Sequence, residues 1–350
     1  MVTAIDLFCG AGGLTRGMQN AGINVVAGYD IEASCRFAYE KNNNAVFIQK
    51  SVTDLDVAEF EHYYGDAEVR VLAGCAPCQP FSTYNKKSKE ENQKDDRWNL
   101  LNSFGEHIKN VQPEIITMEN VPGLINQKVF QDFVDDLIMQ DYHLSYRVVY
   151  CPEYGMAQSR SRLVLLGSKL GPIELIKPTH STGNYVTLRE AISHLPPIKA
   201  GSQHRSDPLH MSSRLSDLNM RRMKASRPGG TWKDWPEDLV AACHKKSSGN
   251  TYSAVYGRMS WDKVASTMTT QCVGFGNGRF GHPEQDRAIS LREAAILQSF
   301  PDDYEFWPKD MEVGLRSVAK MIGNAVPVRL GEVVGESIQK HLQELNKKSA

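Results

Sequence analysis

The first 170 residues alternate short, strongly hydrophobic runs with stretches of helical periodicity. The hydrophobic runs predict strands at 4–8, 24–29, 69–74 and 114–118, and helices are predicted at 14–20 and 34–42. Runs at 147–150 and 162–167 form a closing pair of strands. Strands separated by helices predict an α/β fold, a mostly parallel sheet with helices on both faces.

The pattern changes after residue 171, where Pro, Ser, Gly and Asn become frequent and periodicity weakens. Helical patterning returns at 291–299 and 330–345. We therefore predict a large domain made of residues 1–176 plus 317–350, and a smaller, loop-rich domain with its hinge over 177–316.

Composition narrows the class of protein. With 350 residues, 41% hydrophobic and 23% charged, the chain has ordinary globular values, which exclude disordered and fibrous classes. No apolar run approaches the length of a membrane span, and the start lacks a secretory pattern. The seven cysteines are expected to be reduced thiols, so a cytoplasmic location is expected.

Charge is unevenly distributed. Residues 199–279 contain 13 Lys or Arg and 6 Asp or Glu, a balance of +7, whereas the whole chain is −1. A basic segment within a neutral protein is what a polyanionic partner requires, although a solvated surface with a chance excess explains the same count.

The first candidate site is the glycine-rich segment 6–13, DLFCGAGG, between a predicted strand and a helix. Such a turn brings backbone amides close to a ligand, and Asp30 follows Gly10 by 20 residues, where an acid can bind ribose hydroxyls. The glycines do not fit the dinucleotide pattern. The segment therefore predicts a site for a single nucleoside.

The second candidate is GCAPCQPFS at 74–82, which also follows a strand. Cys75 and Cys78 have the spacing of half a zinc site or of a redox dithiol, but no second Cys pair or His pair accompanies them, so no metal is predicted. One nucleophilic cysteine or a buried structural thiol are the other interpretations.

Three further segments carry polar groups, and each has an ordinary structural explanation when taken alone. MENVPG at 118–123 ends a strand with a carboxylate. QSRSR at 158–162 alternates, which predicts that Arg160 and Arg162 share one face of a strand. MIGNAVPV at 321–328 is a turn that enters a helix.

Taken in order, these segments resemble the DNA cytosine-5 methyltransferase family, of the bacterial restriction-modification or solitary type. The matching motifs are D-L-F-x-G-x-G-G, P-C-Q, E-N-V, Q-x-R-x-R and G-N-A-V-P, with a variable basic stretch before the last. The resemblance spans nearly the whole chain and implies a Rossmann-like, S-adenosylmethionine-dependent methyltransferase domain with a smaller target-recognition domain.

The resemblance implies the catalytic residues. Cys78 would attack C6 of a cytosine flipped out of a duplex, within a short specific sequence, and C5 would then take the methyl group. Glu119 would be protonated to donate to N3, Arg162 would hold O2, and Arg160 would give electrostatic and structural support. S-adenosylhomocysteine would be the product.

The resemblance also implies the cofactor contacts. Asp30 would bind the ribose and Ile31 would lie against the adenine, while the remaining contacts would come from Phe8, Gly10, Gly12, Gly13, Pro77, Leu100, Asn324 and Ala325. One position departs from the family: Ser51 stands where an Asp usually accepts from adenine N6, and Asp54 follows three residues later.

The basic segment would then contact double-stranded DNA. The expected DNA-binding residues are Ser82, Arg97, Arg227, Lys245, Lys246, Thr267 and Arg279, with residues 86–97 as a loop that closes over the site. Arg292 and Glu293 match a pair expected to brace the recognition domain. A monomer is expected because flipping one base requires no symmetry, and a cognate restriction endonuclease is a further possible partner.

Three alternatives stay open at this point. A tRNA cytosine-5 methyltransferase would share the scaffold, but its C-F-T tripeptide is absent: Cys243 and Cys272 lie in other contexts. A catalytically silent DNA-binding homologue has no chemical reason to keep Cys78, Glu119 and both arginines. A dithiol oxidoreductase would require Cys75 as much as Cys78.

Overall fold

A computed structural model describes residues 2–77, 99–246, 249 and 252–349. Cys78, Ser82, Arg97 and the predicted loop at 86–97 lie outside the described residues. The described chain divides into two compact units. Unit 1 comprises Met1–Tyr150, Ser161–Pro178 and Val326–Ala350, and unit 2 comprises Cys151–Arg160 and Thr179–Ala325.

Unit 1 contains a seven-stranded sheet in which four strand pairs are parallel. Its strands are β1 (Val2–Leu7), β2 (Asn24–Asp30), β3 (Val46–Gln49), β4 (Val69–Gly74), β5 (Ile115–Asn120), β6 (His143–Tyr150) and β8 (Ser161–Ser168). The spatial order is β3-β2-β1-β4-β5-β8-β6, and β8 pairs antiparallel to both β5 and β6. The predicted closing pair is therefore β6 and β8.

Helices cover both faces of this sheet. The helices are α1 (Gly13–Asn20), α2 (Arg36–Asn42), α3 (Val57–Tyr64), α4 (Asn99–Val111), α5 (Lys128–Met139) and α10 (Val328–Ser349). Ile5 and Leu7 of β1 share a core with α3, α4 and α5. Because side chains alternate along a strand, Asp6 faces the other side, where it contacts Thr15 of α1. The predicted Rossmann-like fold class is confirmed.

Two glycines set the distance between α1 and α10. A Cβ atom at Gly17 would lie 2.2 Å from the Val328 carbonyl oxygen, and one at Gly331 would lie 2.9 Å from that of Leu14. A side chain at either position would collide with backbone, so only glycine permits this close packing. The C-terminal helix thus belongs to the same unit as the first strand.

Unit 2 is built mostly from turns and short helices. It contains β7 (Gln158–Ser159), which pairs with β9 (Ala265–Ser266), and the helices α6 (Leu188–Ile192), α7 (Asp217–Ala225), α8 (Leu291–Leu297) and α9 (Leu315–Asn324). Single helical turns occur in both units, at Ala33–Cys35, Val52–Asp54, Pro122–Asn126, Cys151–Tyr154, Trp232–Asp234, Glu237–Leu239 and Phe275–Asn277. One core of unit 2 is aromatic, with Trp232, Trp235 and Phe275 buried together.

The limits of the units differ from the sequence-derived domain limits. The first unit continues to Pro178 instead of 176, and its last segment starts at Val326 instead of 317. Residues 151–160, assigned to the large domain from sequence, lie in unit 2, where Ala157 accepts from the Ala265 amide and the Gln158 side chain donates to the Leu297 carbonyl.

Candidate active site

The sheet register brings three candidate segments to one edge of unit 1. Leu7 at the end of β1 pairs with Gly74 at the end of β4, and Gly74 in turn lies beside Met118 on β5. The glycine-rich turn and Cys75 therefore follow neighbouring strands, and Glu119 lies at the carboxyl end of the next strand, β5. This edge is where ligands bind in open α/β folds.

Glu119 is a buried carboxylate with a donor beside each oxygen. Its residue is 4% exposed. Oε1 lies 2.8 Å from Nε of Arg162, and Oε2 accepts a hydrogen bond of 2.9 Å from the Cys75 thiol. Arg162 reaches this position because β8 runs antiparallel to β5, so the start of β8 lies beside the end of β5.

The backbone around Glu119 is fixed to the segment that precedes Cys78. Asn120 Nδ2 donates to the Ala76 carbonyl at 3.1 Å, and the Cys75 amide donates to the Leu7 carbonyl at 3.3 Å. Pro77 follows as an exposed residue. These bonds join the carboxyl ends of β1, β4 and β5.

Arg160 occupies a different environment from Arg162. Arg160 lies between β7 and β8, 3% exposed, and donates to the carbonyls of Met268 at 3.0 Å and Ala325 at 3.5 Å within unit 2. The prediction that the two arginines share one strand face is wrong. Alternation fails because the chain passes from one unit to the other between them.

The glycine-rich turn has the backbone geometry that a ligand site requires. Gly10 has a φ of 50° and Gly12 a φ of 87°, and the non-glycine Phe8 also has a positive φ of 61°. A Cβ atom at Gly10 would meet no atom within 4 Å. Gly13 begins α1 as a buried residue. The turn thus leaves open space beside its backbone.

Asp30, at the end of β2, is hydrogen-bonded to this turn. Its Oδ2 accepts from the Gly10 amide at 2.9 Å, and its Oδ1 accepts from the Glu32 amide at 2.8 Å. Burial raises the pKa of Asp30 above its ordinary value, although these amides oppose the rise. Ile31 beside it is 70% exposed, an apolar side chain that faces solvent.

The remaining predicted cofactor residues that the structure describes belong to both units. Leu100 is half-buried on α4. Asn324 ends α9 as an exposed residue, and the Ala325 carbonyl accepts from Arg160 and Gln298 in unit 2. Ser51 caps the turn Val52–Asp54, where its hydroxyl contacts Thr53.

Sequence reasoning missed two polar groups at this edge. Asp6 is 1% exposed, accepts from Thr15 at 2.7 Å through Oδ2, and has no described partner for Oδ1; burial raises its pKa to about 7. For Cys75 the sequence suggests a metal site, a redox dithiol or a structural thiol, and not a contact with Glu119. The strand-end position of each residue was the available signal.

The predicted DNA-binding residues that the structure describes differ in their contacts. Arg227 and Lys245 are exposed and pair with Asp234 at 2.7 Å and Glu237 at 3.5 Å, and Lys246 is also exposed. Thr267 donates to the Ser159 carbonyl.

Arg279 contacts three internal carbonyls. Its Nη1 donates to the carbonyls of Gly229, Gly230 and Arg258. Burial lowers the pKa of this guanidinium. Arg292 and Glu293 brace unit 2, as expected, through Asp207 and Arg287.

No helix among the described residues is both long and apolar enough to cross a membrane. In the same part of the chain, no group of three or more His, Cys, Asp or Glu side chains is placed to hold a metal ion.

Comparison with curated relatives agrees with the motifs. The chain is 51% identical to the Type II methylase M.HgiDII of Herpetosiphon aurantiacus, over 98% of this chain and 97% of that protein. It is 31% identical to the Type II methyltransferase M.Eco47II of Escherichia coli, over 99% of this chain and 81% of that protein.

Comparison with solved structures agrees on the fold. A candidate DNA modification methyltransferase from an E. coli prophage superposes with a TM-score of 0.74 at 21% identity, covering 98% of this chain and all of that one. DNMT2 of Spodoptera frugiperda superposes with a TM-score of 0.65 at 16% identity, over 99% of each chain. At these identities the likeness concerns the fold alone.

The family model for C-5 cytosine-specific DNA methylases matches residues 2–340. The chain therefore belongs to the C-5 cytosine-specific DNA methylase family and is a DNA cytosine-5 methyltransferase.

Proposed function

We propose that this enzyme transfers the methyl group of S-adenosylmethionine to a flipped cytosine in a short specific DNA sequence, through a covalent bond between Cys78 and C6. The buried Glu119, with Arg162 at 2.8 Å, carries the assignment of the site. Cytosine is a poor electrophile, so attack on its C6 requires both Glu119 and Arg162. Both side chains lie at the edge of the sheet where ligands bind.

The residues around the glycine-rich turn fit the proposed cofactor. Gly10 leaves open space for a close approach, Asp30 offers carboxylate oxygens at the end of β2, and Ile31 presents an apolar surface that an adenine can cover. When bound, S-adenosylmethionine supplies a methyl group on a positively charged sulfur, and S-adenosylhomocysteine remains. Phe8, Gly12, Gly13, Pro77, Leu100, Asn324 and Ala325 complete the proposed set.

The chain's own groups perform the proposed proton and electron movements. The Cys78 thiolate forms a bond to C6 while Glu119 gives a proton to N3, which makes C5 nucleophilic. After C5 has received the methyl group, a water molecule accepts the C5 proton, the C6–S bond breaks, N3 returns its proton to Glu119 and the thiolate is restored. Arg162 holds O2 and favours the thiolate, and Arg160 supports the site from its contacts with Met268 and Ala325.

Unit 2 is proposed as the target-recognition domain. Its basic segment supports phosphate contacts, for which the exposed Arg227, Lys245 and Lys246 are the best placed. Ser82, Arg97, Thr267 and Arg279 complete the proposed DNA-binding set. The side-chain donors of Arg279 and Thr267 contact internal carbonyls, so these two residues would contribute mainly by fixing the backbone conformation of unit 2.

The biological setting is also a proposal. The named relatives are Type II methyltransferases, which supports a cognate restriction endonuclease that cuts the same site. We propose a monomer that acts in the cytoplasm, bound to the nucleoid through its DNA affinity. Sedimentation with and without a DNA duplex would measure the oligomeric state, and a dimer in both would contradict it.

One experiment tests the proposed chemistry. Labelled methyl groups from S-adenosylmethionine are offered to duplex DNA and, separately, to tRNA, with Cys78→Ser and Glu119→Gln alongside the wild type. We expect 5-methylcytosine in DNA, and its loss in both variants. Label in tRNA alone would contradict the proposal, as would a Cys78→Ser enzyme that still methylates DNA.

A further inference from the structure

The Cys75 thiol makes a contact that the proposed chemistry does not use. Its Sγ donates to Oε2 of Glu119 at 2.9 Å. Nε of Arg162 lies 2.8 Å from the other oxygen, yet Oε1 accepts no hydrogen bond from any described residue. Among the described side chains, the thiol therefore makes the directional contact to this carboxylate, and the arginine supplies charge.

Backbone contacts hold the segment that carries Cys75. Its amide donates to the Leu7 carbonyl, and the next residue, Ala76, accepts from the side chain of Asn120. Since Gly74 is in register with Met118, the side chain that follows Gly74 meets the one that follows Met118. The contact is thus a result of sheet register.

A buried carboxylate needs such a contact to keep one orientation. The terminal torsion of a glutamate is broad, so packing alone does not define where its two oxygens point. A proton donor must stay within hydrogen-bond reach of its acceptor to act in the transition state. Fixing Oε2 by a hydrogen bond sets the direction of Oε1.

We propose that Cys75 is a positioning residue for Glu119: its thiol holds one carboxyl oxygen so that the other is aimed at the cytosine ring. This inference rests on the proposed role of Glu119. It gives the first cysteine of the Cys-x-x-Cys pair a function as a hydrogen-bond donor, without metal or redox chemistry. The property that matters is then the S–H donor, which a hydroxyl can replace.

The test measures the covalent step with DNA of plasmid length in which 5-fluorodeoxycytidine replaces deoxycytidine. Fluorine at C5 cannot leave as a proton, so an enzyme that has attacked and methylated stays bound to the DNA. Cys75→Ala and Cys75→Val remove the donor, Cys75→Ser keeps one, and Cys243→Ala removes an exposed thiol elsewhere. Rates are measured with a thiol reductant and expressed per molecule that binds S-adenosylmethionine.

We expect Cys75→Ala and Cys75→Val to slow covalent complex formation about tenfold, which corresponds to one hydrogen bond to a charged group. The KM values for DNA and S-adenosylmethionine should change by less than about twofold, because the contact serves the transition state. Cys75→Ser should stay within about threefold of the wild type, and Cys243→Ala should match it.

Two results would overturn the inference. One is a Cys75→Ala or Cys75→Val enzyme with the wild-type rate; the other is a Cys75→Ser enzyme as slow as Cys75→Ala, which would mean that sulfur itself is required. Glu119→Gln separates this failure from a failure of the proposed function. If Glu119→Gln reacts at the wild-type rate, the role of Glu119 is wrong, whereas a slow Glu119→Gln beside a normal Cys75→Ala refutes only the role of Cys75.

Discussion

Arg160 and Arg162, which are separated only by Ser161, have different physical roles in this chain. Arg160 donates to two backbone carbonyls of unit 2, whereas Arg162 provides a positive charge beside a buried carboxylate of unit 1. Removing the first takes a donor from the Met268 carbonyl, while the Ala325 carbonyl keeps its bond from Gln298, and removing the second leaves a carboxylate without its counter-charge. Their substitutions should therefore be distinguishable.

We expect Arg160→Ala to lower stability by roughly 2–4 kcal/mol, since a buried carbonyl that loses its partner keeps its desolvation cost. Arg162→Gln should lose at least about tenfold in methyl transfer with a smaller change in stability, because it removes charge at the proposed site. Thermal unfolding and methylation rates are measured on the same preparations. Equal loss of stability in both variants would contradict this division.

Asp6 illustrates how burial alone can couple stability to pH. Its folded pKa is about 7, raised from an ordinary 3.8 chiefly by desolvation. The folded state therefore keeps a proton that the unfolded chain releases above pH 4. The contribution of Asp6 to stability should therefore fall as pH rises from about 4 to 7, by roughly 4 kcal/mol at most, and be constant above.

Asp6→Asn removes this titration while keeping an acceptor for Thr15. The free energy of unfolding of the variant, minus that of the wild type, should increase between pH 4 and 7 and then level off. Urea unfolding at pH 5, 6, 7 and 8 measures it, and the other titrating groups cancel in the difference. A difference independent of pH would show that Asp6 is ionised in the folded protein.

Strands and helices can be predicted from the sequence where the local hydrophobic or glycine pattern is strong. Strands β1, β2, β4, β5 and β8 were predictable as hydrophobic runs, and α1 from its glycine-rich start. Alternation at 158–162 was misleading because a unit boundary between Arg160 and Ser161 interrupts the strand. Likewise, the Cys75–Glu119 contact depends on register between β4 and β5, which no local pattern encodes.

The close packing of α1 against α10 leaves no room for a side chain at Gly17. Gly17→Ala places a Cβ atom 2.2 Å from the Val328 carbonyl, so the helices must separate. We expect a loss of roughly 1–3 kcal/mol from overpacking, despite the better helix propensity of alanine.

Gly105→Ala in α4 is the matched control. Its Cβ atom would lie 3.3 Å from a ring carbon of Phe133, so a side chain and not backbone must give way, by a few tenths of an ångström. Its stability should stay within about 1 kcal/mol of the wild type. Chemical denaturation of both variants measures the difference, and a Gly17→Ala protein as stable as Gly105→Ala would contradict the packing argument.

At the scale of the whole molecule, the two units hold ionisable groups that respond to acid in opposite ways. In unit 1, the raised pKa values of Asp6 and Asp30 favour the folded state as pH falls. In unit 2, burial lowers the pKa of His282 to about 4. Burial opposes ionisation of the Glu293 carboxyl, but the two hydrogen bonds that Arg287 donates to it lower its pKa.

His282 binds a proton more weakly in the folded protein than in the unfolded chain. Below pH 6.5 the unfolded chain binds a proton at this histidine, whereas the folded unit does not until about pH 4. Stability of unit 2 should therefore fall as pH drops from about 6.5 to 4, by roughly 3 kcal/mol at most. Glu293 adds stability that is lost at still lower pH.

Tryptophan fluorescence can report on unit 2 selectively, because four of the five tryptophans, Trp232, Trp235, Trp261 and Trp307, belong to it. Between pH 7 and pH 5, the fluorescence-detected unfolding temperature should fall relative to the far-ultraviolet circular dichroism transition. His282→Asn can still accept from the amides of Glu284 and Gln285, which now bond to Nδ1, and should reduce this divergence. If the two transitions instead move together in the wild type, this prediction is wrong and the two units unfold as one cooperative body. The opposing titrations of Asp6 and His282 would then cancel in the stability of the whole protein.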